Sequence, residues 1–325
     1  MRAEAKPMPV AVIGCGRMGK VRAQAARHLG AEVTVLVDPM LDRRASMHAM
    51  FPRAMVLEDV GQFDWSSVAA AFICTPPGQR EEAVHAGMLA GTALMIEKPV
   101  GVSAARANGL IELQKRHRNV VAVGYMNRSR PSIKRARTLL LSEKPLGLAA
   151  HWIGSEYRTD WWLDHRSSGG PFNEQGTHLV DLVRCLLGEV ETVTSLGHGT
   201  AQKEVTLGAV LRSRRGGIAT ILYSWGADNK NIELNLFTGR GTLRWSGWEF
   251  KLVENTTALP ISDEEIDDVF LLETERFLGA ARGNGTVECD LQDAVRSQML
   301  VDAIRQSMIL GTAVRLDADS MDRDR

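Results

Sequence analysis

The sequence carries no net charge: 39 Lys and Arg balance 39 Asp and Glu. A chain without a basic excess is poorly suited to coat nucleic acid or an anionic membrane, where charge dominates binding. It also lacks a long apolar run. The longest near a predicted strand, Val68 to Cys74, falls far short of the roughly 20 residues a membrane helix needs. Cysteine is scarce, and Cys15, Cys74, Cys185 and Cys289 form no CxxC pair or zinc spacing. That pattern predicts free thiols in a reducing cytoplasm. The segment Met1 to Pro9 is polar and has no apolar signal core, which again points to a cytoplasmic protein. There is no internal repeat and no low-complexity linker.

What is present is an ordinary globular balance, 44% apolar and 24% charged, over 325 residues. At about 150 residues per domain, that length predicts two domains. Short β-rich runs alternate with helical ones through the first third: strands at Val10–Ile13, Glu32–Val37, Ala69–Cys74, Ala93–Ile96 and Val120–Val123, with helices between. This alternation implies a doubly wound α/β domain of Rossmann type, a parallel sheet with helices on both faces. The rhythm stops after Gly124. Beyond Leu146 most segments read as strands, and Gly216-Gly217 and Gly239-Arg240-Gly241 read as hairpin turns. The expectation is a domain over residues 1–124 and a second, α+β domain over 125–325 with a large, open, mostly antiparallel sheet. The second carries one internal helix, Glu174–Leu187, and two closing helices near 263–281 and 291–310.

Gly14-Cys15-Gly16-Arg17-Met18-Gly19 follows the first strand and opens the first helix, and Asp38 closes the next strand about 20 residues on. This is the context of a dinucleotide-binding loop. Gly14 permits the tight turn, Gly16 admits a pyrophosphate, and Gly19 lets helix and strand pack closely. Helix N–H groups near Arg17 and Met18 then face the phosphates. Asp38 would accept hydrogen bonds from the adenosine ribose and repel a 2′-phosphate, favouring NAD. Arg43 and Arg44 lie close enough to serve NADP if Asp38 turns away.

Two further motifs fall where chemistry is expected. Thr75-Pro76-Pro77 and Glu97-Lys98-Pro99 each end a strand, and ligands of doubly wound sheets bind at the carboxyl ends of strands. Lys98 could hydrogen-bond a substrate hydroxyl and move its proton; the residues alone equally allow a surface lysine paired with Glu97. Later, Glu174, His178 and Asp181 stand at i, i+4 and i+7 and share one helical face. An imidazole between carboxylates suits proton transfer near neutral pH. It also suits a solvated helix face. A metal site would want a second His at ligand spacing, which the motif lacks.

Taken together, G-x-G-x-x-G, the Asp closing the second strand, T-P-P, E-K-P and G-x-H-x-x-D resemble the Gfo/Idh/MocA oxidoreductase family. Its members include glucose–fructose oxidoreductase and inositol dehydrogenase. The resemblance continues through Asn127-Arg128…Pro131 and Asp293-Ala294…Ser307…Gly311…Val314. It implies that Lys98 is catalytic, that the Lys98–Pro99 bond is cis, and that His178 and Asp181 occupy the family's histidine and aspartate positions. The usual pattern G-G-G-x-x-x-D-x-G-x-H-x-x-D is departed from twice. Pro171 replaces the third glycine, and Glu174 replaces the aspartate.

The function so implied is hydride transfer between NAD, or NADP, and a secondary alcohol or ketone of a sugar, cyclitol or related polyol. Lys98 and His178 would manage the hydroxyl proton. Glu174 and Asp181 would orient His178 and contact substrate. Tyr125 and the loop residues Arg158, Trp161 and Trp162 would add substrate contacts. Gly14, Gly16, Arg17, Met18, Gly19, Asp38, Thr75, Pro76, Pro77, Glu97 and Lys98 would hold the cofactor. Two alternatives use the same residues: an NAD-dependent glycoside hydrolase working by transient oxidation, and a non-catalytic dinucleotide sensor. Neither a nucleic acid nor a membrane is an expected partner; a homodimer or homotetramer is.

Overall fold

A computed structural model describes residues 6–157, 159–200, 203–257, 261 and 268–316. The first part of the chain runs β1 (Pro9–Ile13), α1 (Arg17–His28), β2 (Glu32–Val37), α2 (Leu41–Met50), β3 (Met55–Leu57), β4 (Ala70–Ile73), α3 (Glu81–Leu89), β5 (Ala93–Glu97), α4 (Ala104–His117) and β6 (Val121–Gly124). Then follow α5 (Pro131–Ser142), β7 (Pro145–Ile153), α6 (His165–Ser168), α7 (Thr177–Leu187), β8 (Val190–Thr200), β9 (Lys203–Ser213), β10 (Ile218–Ser224), β11 (Asn231–Thr238), β12 (Gly241–Ser246) and β13 (Lys251–Asn255). Finally come α8 (Val269–Ala281), α9 (Leu291–Leu310) and β14 (Val314–Arg315).

Six parallel strands in the order β3-β2-β1-β4-β5-β6 form the first sheet. Its central strands are apolar except for Glu97 at the end of β5, and buried except at Pro9, as a sheet covered on both faces requires. The eight strands of the second sheet lie in the order β13-β12-β11-β7-β10-β9-β8-β14. All its pairs are antiparallel except β7 with β10. Alternation of buried and open positions in β10 and β11 shows that one face packs on a core and the other does not. The two glycine turns form the predicted hairpins, β9–β10 and β11–β12.

The compact units divide the chain differently from a single cut at 124/125. The first unit comprises residues 1–100, 105–126 and 268–292; the second comprises 101–104, 127–267 and 293–325. Helix α8, read from sequence as part of the second domain, thus belongs to the first. The physical reason lies in α1. Arg22 has no exposed surface, and its guanidinium meets Glu97 at 2.7 Å and Glu273 of α8 at 2.6 Å. Phe277 of the same helix packs edge-on against Phe72 of β4, centroids 5.5 Å apart. A buried cation needs its counter-ions, and one of them is delivered by α8.

In the second unit the buried stripe of α7, Leu179, Leu182, Val183 and Leu186, packs on the inner face of the sheet with Leu207, Leu234 and Trp245. A second ionic cluster holds the ends of this helix. Arg128 grips Asp181 through Nε at 2.8 Å and Nη2 at 2.6 Å, and also pairs with Asp293. Arg184 meets Asp293 at 2.8 Å and Glu189 at 2.6 Å. Burial alone would raise the Asp293 carboxyl, but the two guanidinium groups hold it far below the usual carboxylate range. A carboxyl depressed in the folded state contributes stability above its unfolded pKa of about 3.9 and loses it as pH falls. Asp293→Asn should therefore lower stability at neutral pH and flatten its decline between roughly pH 5 and 2. Urea midpoints across that range measure it, and an unchanged slope would remove Asp293 from the acid response.

Candidate active site

The glycine loop joins β1 to α1, and its three glycines meet three different constraints. Gly14 has φ of 96°, and a Cβ there would lie 2.8 Å from the carbonyl carbon of Cys74. On Gly19 a Cβ would lie 1.9 Å from the Gly14 carbonyl oxygen. Gly16, extended at φ −75°, would place a Cβ in open space, with nothing within 4 Å. Gly16 is also the N-cap of α1, and no side chain caps it. Uncapped helix N–H groups beside open space fit a pyrophosphate. Arg17 is exposed and Met18 half-buried at this rim.

Asp38 is fixed rather than solvated. Its Oδ2 accepts the Cys15 N–H at 2.7 Å and its Oδ1 the Met40 N–H at 2.8 Å. Further lone pairs on a carboxylate leave it able to accept ribose hydroxyls. Arg44 is occupied, donating to the Asp38 carbonyl at 2.6 Å and facing Glu58 at 3.7 Å. Arg43 lines a shallow pocket with Gly16, Arg17, Lys20 and Ser46. Burial, reinforced by the Asp38 carboxylate, pushes the Cys15 thiol up to about 12, so it stays neutral.

The strand ends are tied together by a residue that the motifs did not flag. Arg80 is buried; it donates to the carbonyls of Glu97 and Thr75 and, at 2.6 Å, to that of Pro99. It thereby fastens the Thr75-Pro76-Pro77 turn after β4 to the Glu97-Lys98-Pro99 turn after β5. Lys98 is half-buried, and the Lys98–Pro99 bond is cis. Glu97 corrects one expectation. Its carboxylate serves Arg22 and is buried, so it secures the strand end instead of facing a cofactor. Tyr125, at 1% exposure, is a core residue of this unit, so the expected substrate contact is withdrawn.

Ahead of α7, Phe172–Gly176 form one wide turn of π-helix. Gly169 and Gly170 reach it at φ of 77° and 97°, and Pro171 starts it at φ −57°, where proline is preset for a first turn. Glu174 lies in this wide turn and His178 in the regular helix. The wide turn changes the simple i, i+4 geometry; such turns recur at functional sites. Glu174 is buried, and its Oε2 accepts the Trp162 indole N–H at 3.1 Å. His178 is buried too, its ring stacked on Trp152 with centroids 5.4 Å apart and planes 4° apart.

Three sequence expectations change here. Asp181 is 1% exposed and committed to Arg128 and to the Ser297 hydroxyl at 2.8 Å. It anchors the helix, its carboxylate oxygens taken up by Arg128 and Ser297. Trp162, with no exposed surface, positions Glu174 and offers no ring face to a sugar. The face of α7 that carries His178 and Asp181 is buried along with the apolar one, which removes the solvated-face alternative. Trp161 is half-buried, and Arg158 lies outside the described residues.

Residues 8–125 match the model of the oxidoreductase family with NAD-binding Rossmann fold, GFO_IDH_MocA, and residues 147–244 match the GFO/IDH/MocA C-terminal domain. The chain belongs to the Gfo/Idh/MocA oxidoreductase family. Residues 8–125 are the family's NAD-binding Rossmann domain. A myo-inositol dehydrogenase of Streptomyces leeuwenhoekii is 30% identical over 60% of this chain and 60% of its own. An inositol 2-dehydrogenase of Saccharopolyspora erythraea is 30% identical over 59% of this chain and 57% of its own. The chain thus matches well under two thirds of these relatives' length. The WlbA dehydrogenase of Bordetella pertussis, solved with NADH and UDP-GlcNAcA, superposes with a TM-score of 0.86 at 21% identity, covering 97% of this chain and 99% of that one. It shares the two-sheet Gfo/Idh/MocA fold.

The loop geometry separates a cofactor defect from a folding defect. Gly16→Val should leave stability nearly unchanged and abolish NADH binding in a fluorescence titration. Gly19→Ala should instead lower the thermal midpoint, because its Cβ has no room. Unchanged NADH affinity in Gly16→Val would take the loop out of the cofactor site.

Proposed function

We propose that this oxidoreductase is an NAD-dependent dehydrogenase for a secondary alcohol of a sugar, cyclitol or related polyol, able to run in reverse as a ketone reductase. The observation that carries the reading is the placement of Lys98. It stands at the carboxyl end of β5, in the same parallel sheet whose β1 feeds the glycine loop. Its neighbour Glu97 is taken by Arg22, so that carboxylate secures the strand end behind the lysine. When bound, the nicotinamide supplies the hydride acceptor. Lys98 takes the proton of the substrate hydroxyl. His178, held in plane by Trp152, donates to or accepts from a substrate oxygen. Glu174, steadied by Trp162, binds a neighbouring hydroxyl. Gly16 and the first turn of α1 hold the pyrophosphate, and Asp38 the ribose.

Removing an acid–base group costs about 10²–10⁴-fold in rate. Lys98→Ala and His178→Ala should each lower kcat by that order on the polyol most active in an NAD-reduction screen, with NADH affinity unchanged in His178→Ala. Lys98→Ala should be the more severe. Near-normal kcat in either variant would end its role in proton transfer.

We also propose that the chain assembles with copies of itself through the open face of its second sheet. Leu196 is 74% exposed there and Val210 51%, with Leu222 and Ile218 beside them. The strands between carry small outward residues, Ala149, Gly208 and Thr220, so the face is flat as well as apolar. Exposed apolar patches of this kind mark interaction sites. Leu196→Glu with Val210→Glu should shift the molar mass in light scattering toward the monomer, and an unchanged mass would place the interface elsewhere.

A further inference from the structure

One cation of the second unit is set among aromatic rings instead of carboxylates. Lys230 lies in the loop between β10 and β11 and is exposed. Its Nζ is 5.6 Å from the centroid of Tyr157 and 5.2 Å from that of Trp248. Its stem runs past Gly154, where a Cβ would lie 3.7 Å from Lys230 Cγ and 3.9 Å from the Trp152 indole nitrogen. Trp248 in turn meets His178 edge-to-face at 6.3 Å and Trp152 at 5.3 Å. Lys230 and His178 therefore share Trp248 as a neighbour.

The partners of other charged groups in this unit are already fixed. Arg128 and Arg184 divide Asp181, Asp293 and Glu189. Arg244 takes Glu254 at 3.0 Å and Glu233 at 3.5 Å, and Glu249 pairs with Lys251 at 2.9 Å. No ion pair or hydrogen bond to Lys230 exists among the described residues. Ring faces attract an ammonium without consuming its N–H donors. They hold Lys230 in place while all three donors remain available. A compact, donor-rich cation held beside a buried imidazole suits a carboxylate or a phosphate. A neutral polyol would gain little from it.

We propose that Lys230 binds an anionic group of the substrate, and that the polyol is an acid: a sugar carboxylate or a sugar phosphate. This rests on the dehydrogenase reading above. The anion sits on Lys230, while the hydroxyl that reacts lies toward His178. Tyr157 and Trp248 position the ammonium and present apolar surface to the C–H faces of the ring.

The test is calorimetric titration of the NAD-loaded full chain with glucose and galactose, their uronates and their 6-phosphates, run in parallel with NADH formation. At least one acid should bind about 10–100-fold more tightly than its neutral parent, the scale of a charge-assisted hydrogen bond. Lys230→Met should erase that advantage and leave the neutral parent unchanged, and Lys230→Arg should keep most of it. The uronate and phosphate arms distinguish the two anions. Equal binding of acid and parent, an acid preference that survives in Lys230→Met, or no binding by any acid would each overturn the proposal. NADH formation from neutral polyols with no acid preference would overturn it and leave the dehydrogenase standing. Lys230-dependent acid binding without NADH formation would uphold it and remove the dehydrogenase.

Discussion

The first unit depends on a guanidinium that water never reaches. Arg22 stands one turn beyond Gly19 on the helix that opens from the glycine loop, and it is bracketed by Glu97 and Glu273. Each carboxylate comes from a different element. Desolvating one of three such charges without the others costs several kcal/mol, so the helix, the end of β5 and α8 are placed by one electrostatic requirement. The same requirement sets the local role of Glu97. It is a brace behind Lys98, and Arg80 adds a second brace by binding the carbonyls on both sides of that lysine.

A comparable principle works in the second unit with different parts. Helix α7 is buried nearly all round, which a polar, motif-bearing helix tolerates only if each polar group has a partner. Asp181 meets this condition through Arg128 and Ser297, and Arg184 through Glu189, Asp293 and the Ser297 hydroxyl at 2.7 Å. His178 is handled by stacking on Trp152. The difference is chemically useful. The guanidinium–carboxylate contacts fix Asp181 and Arg184 in place, while the stacked Trp152 sets the plane of the His178 imidazole.

Much of this was legible in the sequence, for identifiable reasons. Apolar runs broken by glycine gave the parallel sheet, because strands buried on both faces have no alternation to misread. Gly14, Gly16 and Gly19 are legible as a spaced set: Gly14 and Gly19 have no room for a Cβ, and Gly16 keeps the mouth of the loop open. What sequence missed were relations between distant residues. Asp181 looked like part of a reactive face because its spacing from His178 is helical; nothing local reveals that Arg128 reaches it. Helix α8 reads from sequence as part of the second domain, since its ties to Arg22 and Phe72 lie some 200 residues back in the chain. Arg22 did leave a trace, a lone cation in the small-residue stripe Ala23, Ala25 and Ala26. Helix α5 and strands β3, β8, β13 and β14 were not anticipated. Lys230 and Trp248 left no trace, since they sit in turns whose composition says nothing of the rings around them.

The division of the chain has a consequence for how the protein is made. The first unit draws its last helix from residues 269–281, after the whole sheet of the second unit has been synthesised. At ribosomal rates of about 5–20 residues per second, the interval between Arg22 and Glu273 is on the order of 10–50 s. Throughout that time the cofactor-binding sheet lacks one of the two carboxylates that neutralise its buried cation, and Phe72 lacks its aromatic cover. The nascent first unit is then an incomplete fold in which Arg22 keeps Glu97 but lacks Glu273 and the cover that α8 provides. Completion of the dinucleotide-binding unit is thereby tied to synthesis of residues 269–281, which follow nearly all of the second unit's sheet.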